Sequence, residues 1–265
     1  MKLNLENKRA LVTGSSSGLG KAIVKLLAAE GAKVIVHGRS EERTRAVANE
    51  IIVTGGIAEI ALGDLSTEEG AQAVADQVLA HGPVDILINN AGGYAHTTWK
   101  EATADVWKNT YETNVLSGVR MIRHLVPGMK TLKWGRVITI GGGLAIQPTA
   151  SLPDYSATLA ARHNLAVSLA RQLKGTGITS NVVAPGAILI PSVQELVTKL
   201  APSHGWGETW DEIEKKSVEA LVPNDIGRYG QPEEIAGAVA YLCSSYADYI
   251  TGSVIRVDGG TVRCL

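Results

Sequence analysis

Short apolar segments alternate with longer amphipathic segments along the whole chain. Seven of the short segments carry apolar residues at successive positions, as parallel strands buried on both faces do. The sequence therefore predicts seven strands, at residues 9–14, 33–38, 57–62, 84–92, 135–141, 178–186 and 253–260.

Amphipathic helices are predicted between these strands. They include residues 19–31, 68–82 and a long segment at 105–129. Each connection is long enough for a right-handed crossover helix, so the strands can lie parallel in one sheet. The pattern predicts an α/β fold: a doubly wound parallel sheet (Rossmann fold) with helices on both faces, forming a single domain over residues 1–265.

One segment interrupts the alternation. Residues 187–230 separate the sixth predicted strand from the last helix, and prolines and glycines divide their helical stretches. A packed surface excursion is one interpretation. Because the segment follows the carboxyl end of a strand, where such sheets bind ligands, the sequence favours a lid that covers the substrate.

Charge and cysteine content narrow the functional classes. The 265 residues include 25 basic and 26 acidic ones, a formal net charge of −1 without a basic stripe. We therefore expect neither nucleic acid nor membrane as a partner. Cys243 and Cys264 are too few for a disulfide scaffold, and the chain shows neither a signal-peptide core nor an apolar run of membrane-spanning length. We expect a cytoplasmic protein without a metal site.

A glycine-rich turn joins the first predicted strand to the first helix. It runs TGSSSGLGK from Thr13, with glycines at 14, 18 and 20. Glycine lets the backbone approach a pyrophosphate closely, and a helix amino terminus offers unpaired N–H groups and a favourable dipole. Since a strand and a helix flank the turn, it predicts a binding site for dinucleotide phosphates.

Several ordered motifs resemble those of the short-chain dehydrogenase/reductase family. They are TGxxxGxG at 13–20, NNAG at 89–92, Asp64, Asn114, Tyr155, Pro185-Gly186, GRYGQPEEIA from Gly227 and the closing ITGSVIRVDGG. The resemblance covers nearly the whole chain. It implies a nicotinamide-dependent oxidoreductase with a small-molecule substrate, associated as a homotetramer or homodimer.

The resemblance also implies which residues hold the cofactor. The phosphates would lie against the turn, at Gly14, Ser15, Ser17, Gly18, Leu19 and Gly20. Asp64 and Leu65 would contact the adenine, and Asn90 and Gly92 would line the ribose side. Pro185, Gly186 and Ile188 complete the set, although Ile190 occupies a place where the family often has a threonine for the nicotinamide carboxamide. Asn89 belongs to the same NNAG motif, but its side chain can instead have a structural role and join neighbouring strands.

The end of the second predicted strand bears on cofactor choice. An enzyme that prefers NAD usually has a carboxylate there, which accepts a hydrogen bond from the ribose 2′-hydroxyl. This chain has Gly38 followed by Arg39. A guanidinium can bind a 2′-phosphate that a carboxylate would repel, so the sequence favours NADP over NAD. If Arg39 is only a solvated loop residue, either cofactor fits.

Two of the four residues that usually share the family's chemistry are present. Asn114 matches the residue that holds a relay water, and Tyr155 matches the acid or base. Gly142 occupies the place of the serine that bonds the carbonyl oxygen. Leu159 occupies the place of the lysine that lowers the pKa of the tyrosine.

These losses weaken the two reaction directions unequally. The pKa of an unperturbed tyrosine is about 10, so without a nearby cation Tyr155 is a poor base but still carries the proton of an acid. Loss of an oxyanion hydrogen bond typically costs about a hundredfold in rate or more. Gly142 can recover part of this only if a backbone N–H points into the site.

No other residue is an obvious substitute for the lysine. Arg162 can share the helix face of Tyr155, but two turns separate them by roughly 10 Å, so we expect an interface or surface residue. His163 lies on another face. Tyr94 and His96 follow the NNAG motif on a loop that should border the substrate pocket. Together with Gly142 they are the candidate substrate contacts.

Two hypotheses follow, because the cofactor-binding motifs are present whereas two of the four catalytic residues are replaced. The first is an NADP-dependent reductase of a carbonyl or similarly activated group, with Tyr155 as proton donor. The second is a weakened or inactive dinucleotide-binding regulator or scaffold. The halohydrin dehalogenases, which resemble the same family, lose the cofactor loop and keep serine, tyrosine and a basic residue. This chain has the reverse pattern, which argues against that activity.

Overall fold

The computed structural model describes residues 2–264, which form one seven-stranded sheet with all neighbouring strands parallel. The strands are β1 (Arg9–Val12), β2 (Lys33–Gly38), β3 (Ile57–Leu62), β4 (Ile86–Asn89), β5 (Gly135–Ile140), β6 (Ile178–Pro185) and β7 (Val254–Val257). Their order in the sheet is β3-β2-β1-β4-β5-β6-β7. All seven predicted strands are confirmed, and the doubly wound fold with them.

Nine α-helices lie within the described residues. They are α1 (Gly18–Ala29), α2 (Glu41–Val53), α3 (Glu68–Leu79), α4 (Ala104–Tyr111), α5 (Ser117–Leu132), α6 (Pro153–Gln172), α7 (Pro191–His204), α8 (Trp210–Leu221) and α9 (Pro232–Cys243). The apolar residues of α1, α2 and α9 pack on one face of the sheet, and those of α3 and α5 pack on the other. Ala10 and Val12 of β1 face the first layer, whereas Leu11 faces the second, as alternation along a strand requires.

The strand register brings the carboxyl ends of the central strands to one edge. Val12 pairs with Ile88, and Asn89 pairs with Thr139 on the next strand. The segments that follow β1, β4 and β5 therefore meet at this edge. They are the segments in which the sequence places the glycine-rich turn, the NNAG motif and Gly142.

The long helix predicted at 105–129 is not regular throughout. A single π-helical turn, Glu112–Leu116, lies between α4 and α5. A π-turn inserts one residue into the helical repeat and is frequent at functional sites. This one contains Asn114, whose surroundings are described below.

Residues 187–230 form a small subassembly beyond the end of β6. It contains α7 and α8, and its apolar side chains make a cluster of their own around Val197, Trp206 and Ile213. Pro202 lies within α7, and that helix continues to His204 before Gly205 ends it in the left-handed conformation. The segment is therefore ordered structure of its own rather than an irregular loop.

Among residues 2–264, no helix combines the length and apolar character needed to cross a bilayer.

Candidate active site

The glycine-rich turn has the shape that a phosphate-binding turn needs. Gly14 and Gly18 adopt positive φ angles of 66° and 53°, which L side chains rarely adopt. At Gly20 the constraint is close approach, because an added Cβ would lie against the Gly14 carbonyl and 2.6 Å from Asn90 Nδ2. Helix α1 begins at Gly18 with no side-chain cap and no acidic residue in its first turn, whereas α2, α3 and α4 have both. Its amino terminus is suited to an anion.

Two buried groups support the turn from beneath. The Ser15 hydroxyl is fully buried, donates to the Val12 carbonyl at 2.7 Å and accepts from the His37 N–H at 2.9 Å. The Gly14 N–H donates to His37 Nδ1 at 2.9 Å, so the other ring nitrogen carries the proton and faces the Gly63 carbonyl. Burial lowers the pKa of His37 to about 4, so the ring is neutral. The Ser15 hydroxyl is therefore engaged beneath the turn by Val12 and His37. Ser17 has the exposed hydroxyl.

The segment after β4 contacts the glycine-rich turn. Thr13 Oγ1 accepts from the N–H groups of Asn90 and Ala91 at 3.0 and 2.9 Å. The Asn90 amide donates to the Thr13 and Gly14 carbonyls at 2.9 and 3.3 Å. Asn90 therefore fixes the turn to the NNAG motif with its side chain.

Arg39 and Asp64 face each other at the ends of β2 and β3. The side chain of Arg39 is 75% exposed, and Nη1 lies 3.6 Å from Asp64 Oδ2. Asp64 also accepts from the N–H and hydroxyl of Ser66, and these hydrogen bonds and Arg39 hold the pKa of the carboxyl below its usual range. Leu65 is buried in the core layer of α3 and α5. An exposed guanidinium and a carboxylate are thus available where the adenosine half of a dinucleotide is expected.

Asn114 connects the NNAG segment to the helix of Tyr155. Its amide donates to the Gly93 carbonyl at 2.9 Å and to Thr158 Oγ1 at 3.2 Å, and its Oδ1 accepts from the Gly93 N–H at 2.8 Å. Thr158 in turn donates to the Tyr155 carbonyl at 2.7 Å. The side chain of Asn114 is therefore fully occupied in joining the two segments.

Tyr155 lies in the first turns of α6 beneath a second aromatic ring. The Tyr94 and Tyr155 rings have centroids 5.1 Å apart, and the His96 ring meets Tyr94 edge-on at 5.8 Å. Tyr94 and His96 are exposed, as residues at the border of a pocket would be. Burial raises the pKa of the Tyr155 phenol, and the charge of Arg162 acts in the opposite direction.

Arg162 is buried, and the expectation of a surface or interface residue is wrong. The residue is only 7% exposed. Its guanidinium donates to three backbone carbonyls, those of Ala91, Asn114 and Ile140. A Cβ built at Gly92 would lie 2.7 Å from Arg162 Nη2, so the guanidinium packs directly against the NNAG backbone. The separation expected from helix rise applies to the backbone atoms of Tyr155 and Arg162. It does not include the length of the arginine side chain.

The two residues that depart from the family pattern pack against each other. Leu159 is 2% exposed, and its Cδ1 would lie 3.0 Å from a Cβ at Gly142. The Gly142 N–H donates at 3.4 Å to His163 Nε2. That N–H is therefore directed at the helix, and it does not supply the missing hydrogen bond to a carbonyl oxygen. Burial lowers the pKa of His163, so its ring is neutral and adds no charge.

We expect the nicotinamide of the cofactor to lie at the carboxyl end of β6. Gly186 packs closely on Asp258, with an added Cβ 2.9 Å from the Asp258 Cα. Ile188 forms an isolated bridge with Gly230, and Ile190 reaches to 4.0 Å from a Cβ built at Gly18. The beginning of the 187–230 segment thus borders the glycine-rich turn.

Asn89 lies behind this site. Its side-chain amide and Thr139 Oγ1 make no hydrogen bond to another described residue, and both line a small cavity with Asn114 and Arg162. The proposed tie between strands through the Asn89 side chain is not seen in the hydrogen bonds of residues 2–264. No cluster of three or more His, Cys, Asp or Glu side chains suited to a metal lies within the same residues.

The geometry joins the glycine-rich turn to the half-buried phenol of Tyr155. The segment 89–94 touches the turn through Asn90 and the phenol through Tyr94. Comparison with known proteins decides the family: the model for short chain dehydrogenases matches residues 8–201. The chain belongs to the short-chain dehydrogenase family.

Three similar proteins are named as oxidoreductases or reductases, and each matches this chain over nearly its full length. The chain is 40% identical over 266 residues to the uncharacterized oxidoreductase YvaG of Bacillus subtilis, covering 99% of each chain. It is 36% identical to the 3-oxoacyl-[acyl-carrier-protein] reductase FabG of Vibrio cholerae, covering 97% of this chain and 98% of that one. Among solved structures, L-sorbose reductase from Gluconobacter frateurii complexed with NADPH and L-sorbose is similar with a TM-score of 0.94, at 34% identity over 100% of both chains.

The contact between Gly142 and Leu159 generates the first prediction. Gly142 has an extended backbone, φ 173°, that a serine can adopt, but a serine Cβ would press on Leu159. Gly142→Ser alone should gain little, and Leu159→Lys alone should lower stability because an ammonium enters an apolar contact. The double variant removes the contact and adds both a hydroxyl and an ammonium. We expect its kcat/KM for activated ketones to be about 100-fold above that of the parent. This gain should exceed the product of the two single effects.

Four proteins are compared: the parent, both single variants and the double variant. Rates are measured beside the melting temperature and the Kd for NADPH. A double variant that folds, binds NADPH and is no faster than its parent would contradict this account of the two replacements.

Proposed function

We propose that the chain is an NADPH-dependent reductase of a carbonyl or similarly activated group, with Tyr155 as the proton donor. The observation that carries the proposal is the continuous contact from the glycine-rich turn through residues 89–94 to Tyr155. This contact brings a phosphate site and an acid to the same sheet edge. Reductases with bound NADPH among the structural neighbours support it.

The residues present are suited to a dinucleotide. The uncapped amino terminus of α1 and the glycine backbone would hold the pyrophosphate, and Asn90 would keep the turn in place. Gly92, Pro185, Gly186 and Ile188 would border the ribose and nicotinamide. When bound, the cofactor would supply a hydride to the substrate carbon.

The electrostatics of Tyr155 favour reduction over oxidation. Burial raises the pKa of the phenol, so at neutral pH the group carries its proton. A protonated phenol can donate to the oxygen of a carbonyl that is being reduced, whereas alcohol oxidation needs the phenolate. The reduction rate should therefore stay level through neutral pH and fall only as pH rises through the phenol pKa, above its ordinary value.

Arg39 supports a preference for NADP over NAD. Its exposed guanidinium lies beside Asp64 at the end of β2, with no carboxylate at position 38 or 39. A guanidinium can form paired hydrogen bonds with a 2′-phosphate.

The packing of Leu159 on Gly142 favours a second candidate function. An apolar contact fills the place where the family has a hydroxyl and an ammonium. A dinucleotide-binding regulator would keep the turn and lose the chemistry in this way. It predicts tight cofactor binding without turnover.

The segment 187–230 is proposed as a substrate lid. Its first residues border the turn at Gly18, and its helices form their own apolar cluster. Slower amide hydrogen exchange in α7 and α8 on addition of NADPH would support the lid, and unchanged exchange would oppose it.

A homotetramer or homodimer is proposed as the working assembly. Tyr241, Tyr246 and Tyr249 are exposed at the end of α9 and beyond it. Three exposed aromatic side chains within nine residues of the sequence suit an interface between subunits. Sedimentation velocity at micromolar concentration distinguishes such an assembly from a monomer.

The proposed activity is tested with NADPH and a panel of carbonyl compounds. The panel comprises an α-diketone, L-sorbose and a 3-oxoacyl thioester, with Tyr155→Phe as the variant and Tyr111→Phe, an exposed tyrosine of α4, as the control. Loss of a general acid should lower kcat/KM about 100-fold or more, and the control should leave it unchanged. Tight NADPH binding with no oxidation across the panel would favour the binding protein instead.

Cofactor choice is tested at Arg39. Arg39→Ala should raise the Kd for NADPH about tenfold, because a charge-assisted pair with the 2′-phosphate is lost, and should leave the Kd for NADH unchanged. Arg43→Ala removes an exposed arginine of α2 and is the matched control. If NADH binds the parent as tightly as NADPH does, the preference is refuted.

A further inference from the structure

Arg162 carries a buried positive charge against the segment 89–94, whose Tyr94 packs on Tyr155. Both residues belong to α6, and the side chain of Arg162 passes beneath Gly92 to reach the loop after β4. A chain of hydrogen bonds leads from the guanidinium to the Asn114 carbonyl, from the Asn114 amide to Thr158, and from Thr158 to the Tyr155 carbonyl.

The charge of Arg162 has no carboxylate partner among residues 2–264. The three groups that accept from it are neutral backbone carbonyls. Tyr155 is the titratable group whose charge acts on the guanidinium, and burial lowers the pKa of Arg162 but leaves it protonated at neutral pH. A buried cation without an anion favours ionisation of the nearest acidic group.

The other titratable groups around Tyr155 do not provide such a charge. Tyr94 stacks on its ring, and His96 lies beyond Tyr94. His163 faces Gly142 and is neutral because it is buried. Asp154 accepts a hydrogen bond from Thr110 of α4 at 2.6 Å.

We propose that Arg162 is the positioning residue of the proton transfer, a fixed cation that stabilises the Tyr155 phenolate and thereby replaces the absent lysine at position 159. This inference rests on the proposed reductase function. In that reaction the phenol O–H bond breaks and its proton joins the substrate oxygen, while the carbonyl carbon accepts the hydride. The phenolate then remains near the guanidinium until it regains a proton from solvent.

The replacement differs from a lysine in one respect. A guanidinium has five N–H groups, and three of them are used on Ala91, Asn114 and Ile140. It is therefore held in place by the backbone of the site itself.

The test measures the pKa of Tyr155 without substrate or cofactor. Phenolate absorbance is titrated in the parent, Arg162→Met, Arg162→Lys and Arg171→Met, each corrected with its Tyr155→Phe counterpart. Arg162→Met should raise the Tyr155 pKa by about one unit or more, because the opposite charge is removed. Arg162→Lys should restore most of the shift. Arg171→Met removes an exposed charge from the end of the same helix and should leave the pKa unchanged.

A folded Arg162→Met protein with the parental Tyr155 pKa would overturn the proposal. If the variant does not fold, the parent still decides the question by NMR of ¹⁵N-labelled arginine. The Arg162 Nε resonance should shift with the midpoint of the phenol titration, and Tyr155→Phe should abolish that shift. An unchanged resonance would overturn the proposal. Both readouts work for a chain that binds NADPH and reduces nothing, so failure of the reductase function is distinguished from failure of this role.

Discussion

The Arg162 guanidinium donates to one backbone carbonyl in each of three segments. These are the loop after β4, the π-turn before α5 and the end of β5. A buried charge is tolerated only when its N–H groups have partners, and each carbonyl must in turn hold its place to accept one. The same interaction thus fixes three edges of the site and places a positive charge under it. The sheet register brings the segments near each other, and Arg162 determines their final arrangement.

The two halves of the site are held differently. The glycine-rich turn is held by neutral hydrogen bonds: His37 accepts from the Gly14 N–H, and the backbone N–H and side-chain amide of Asn90 donate to Thr13. The half proposed for proton transfer has Tyr155 under Tyr94, and an apolar contact where the family has two polar side chains. A phenol in such surroundings keeps its proton, which suits an acid. Because the phenol keeps its proton, we expect reduction rather than oxidation. Because two polar side chains are missing, we expect activated substrates.

The fold and the position of the glycine-rich turn could be predicted from the sequence because both depend on local patterns. Seven apolar runs were sufficient for seven strands, and glycine spacing with its flanking elements located the turn. The sequence could not show which serine hydroxyl faces outward, since positions 15 and 17 carry the same residue type. Ser15 proves to be buried because its hydroxyl bonds Val12 and His37.

The site beneath Tyr155 could not be predicted because it depends on contacts between distant parts of the chain. The role of Arg162 requires carbonyls that lie 22 to 71 positions away in the sequence. The π-turn at Asn114 is a single turn inside a longer helical segment, so a regular helix was expected there. The direction of the Gly142 N–H depends on His163, a residue of another element.

Hydride transfer to a carbonyl carbon is the central claim, and isotopic labelling tests it most directly. The chain is incubated with NADPH deuterated at nicotinamide C4, in separate experiments for each face, together with the substrate that is consumed fastest. Mass spectrometry of the alcohol should show one deuterium on the former carbonyl carbon from one face only. Cofactor that stays bound, with no deuterium in any product from either face, would contradict the account.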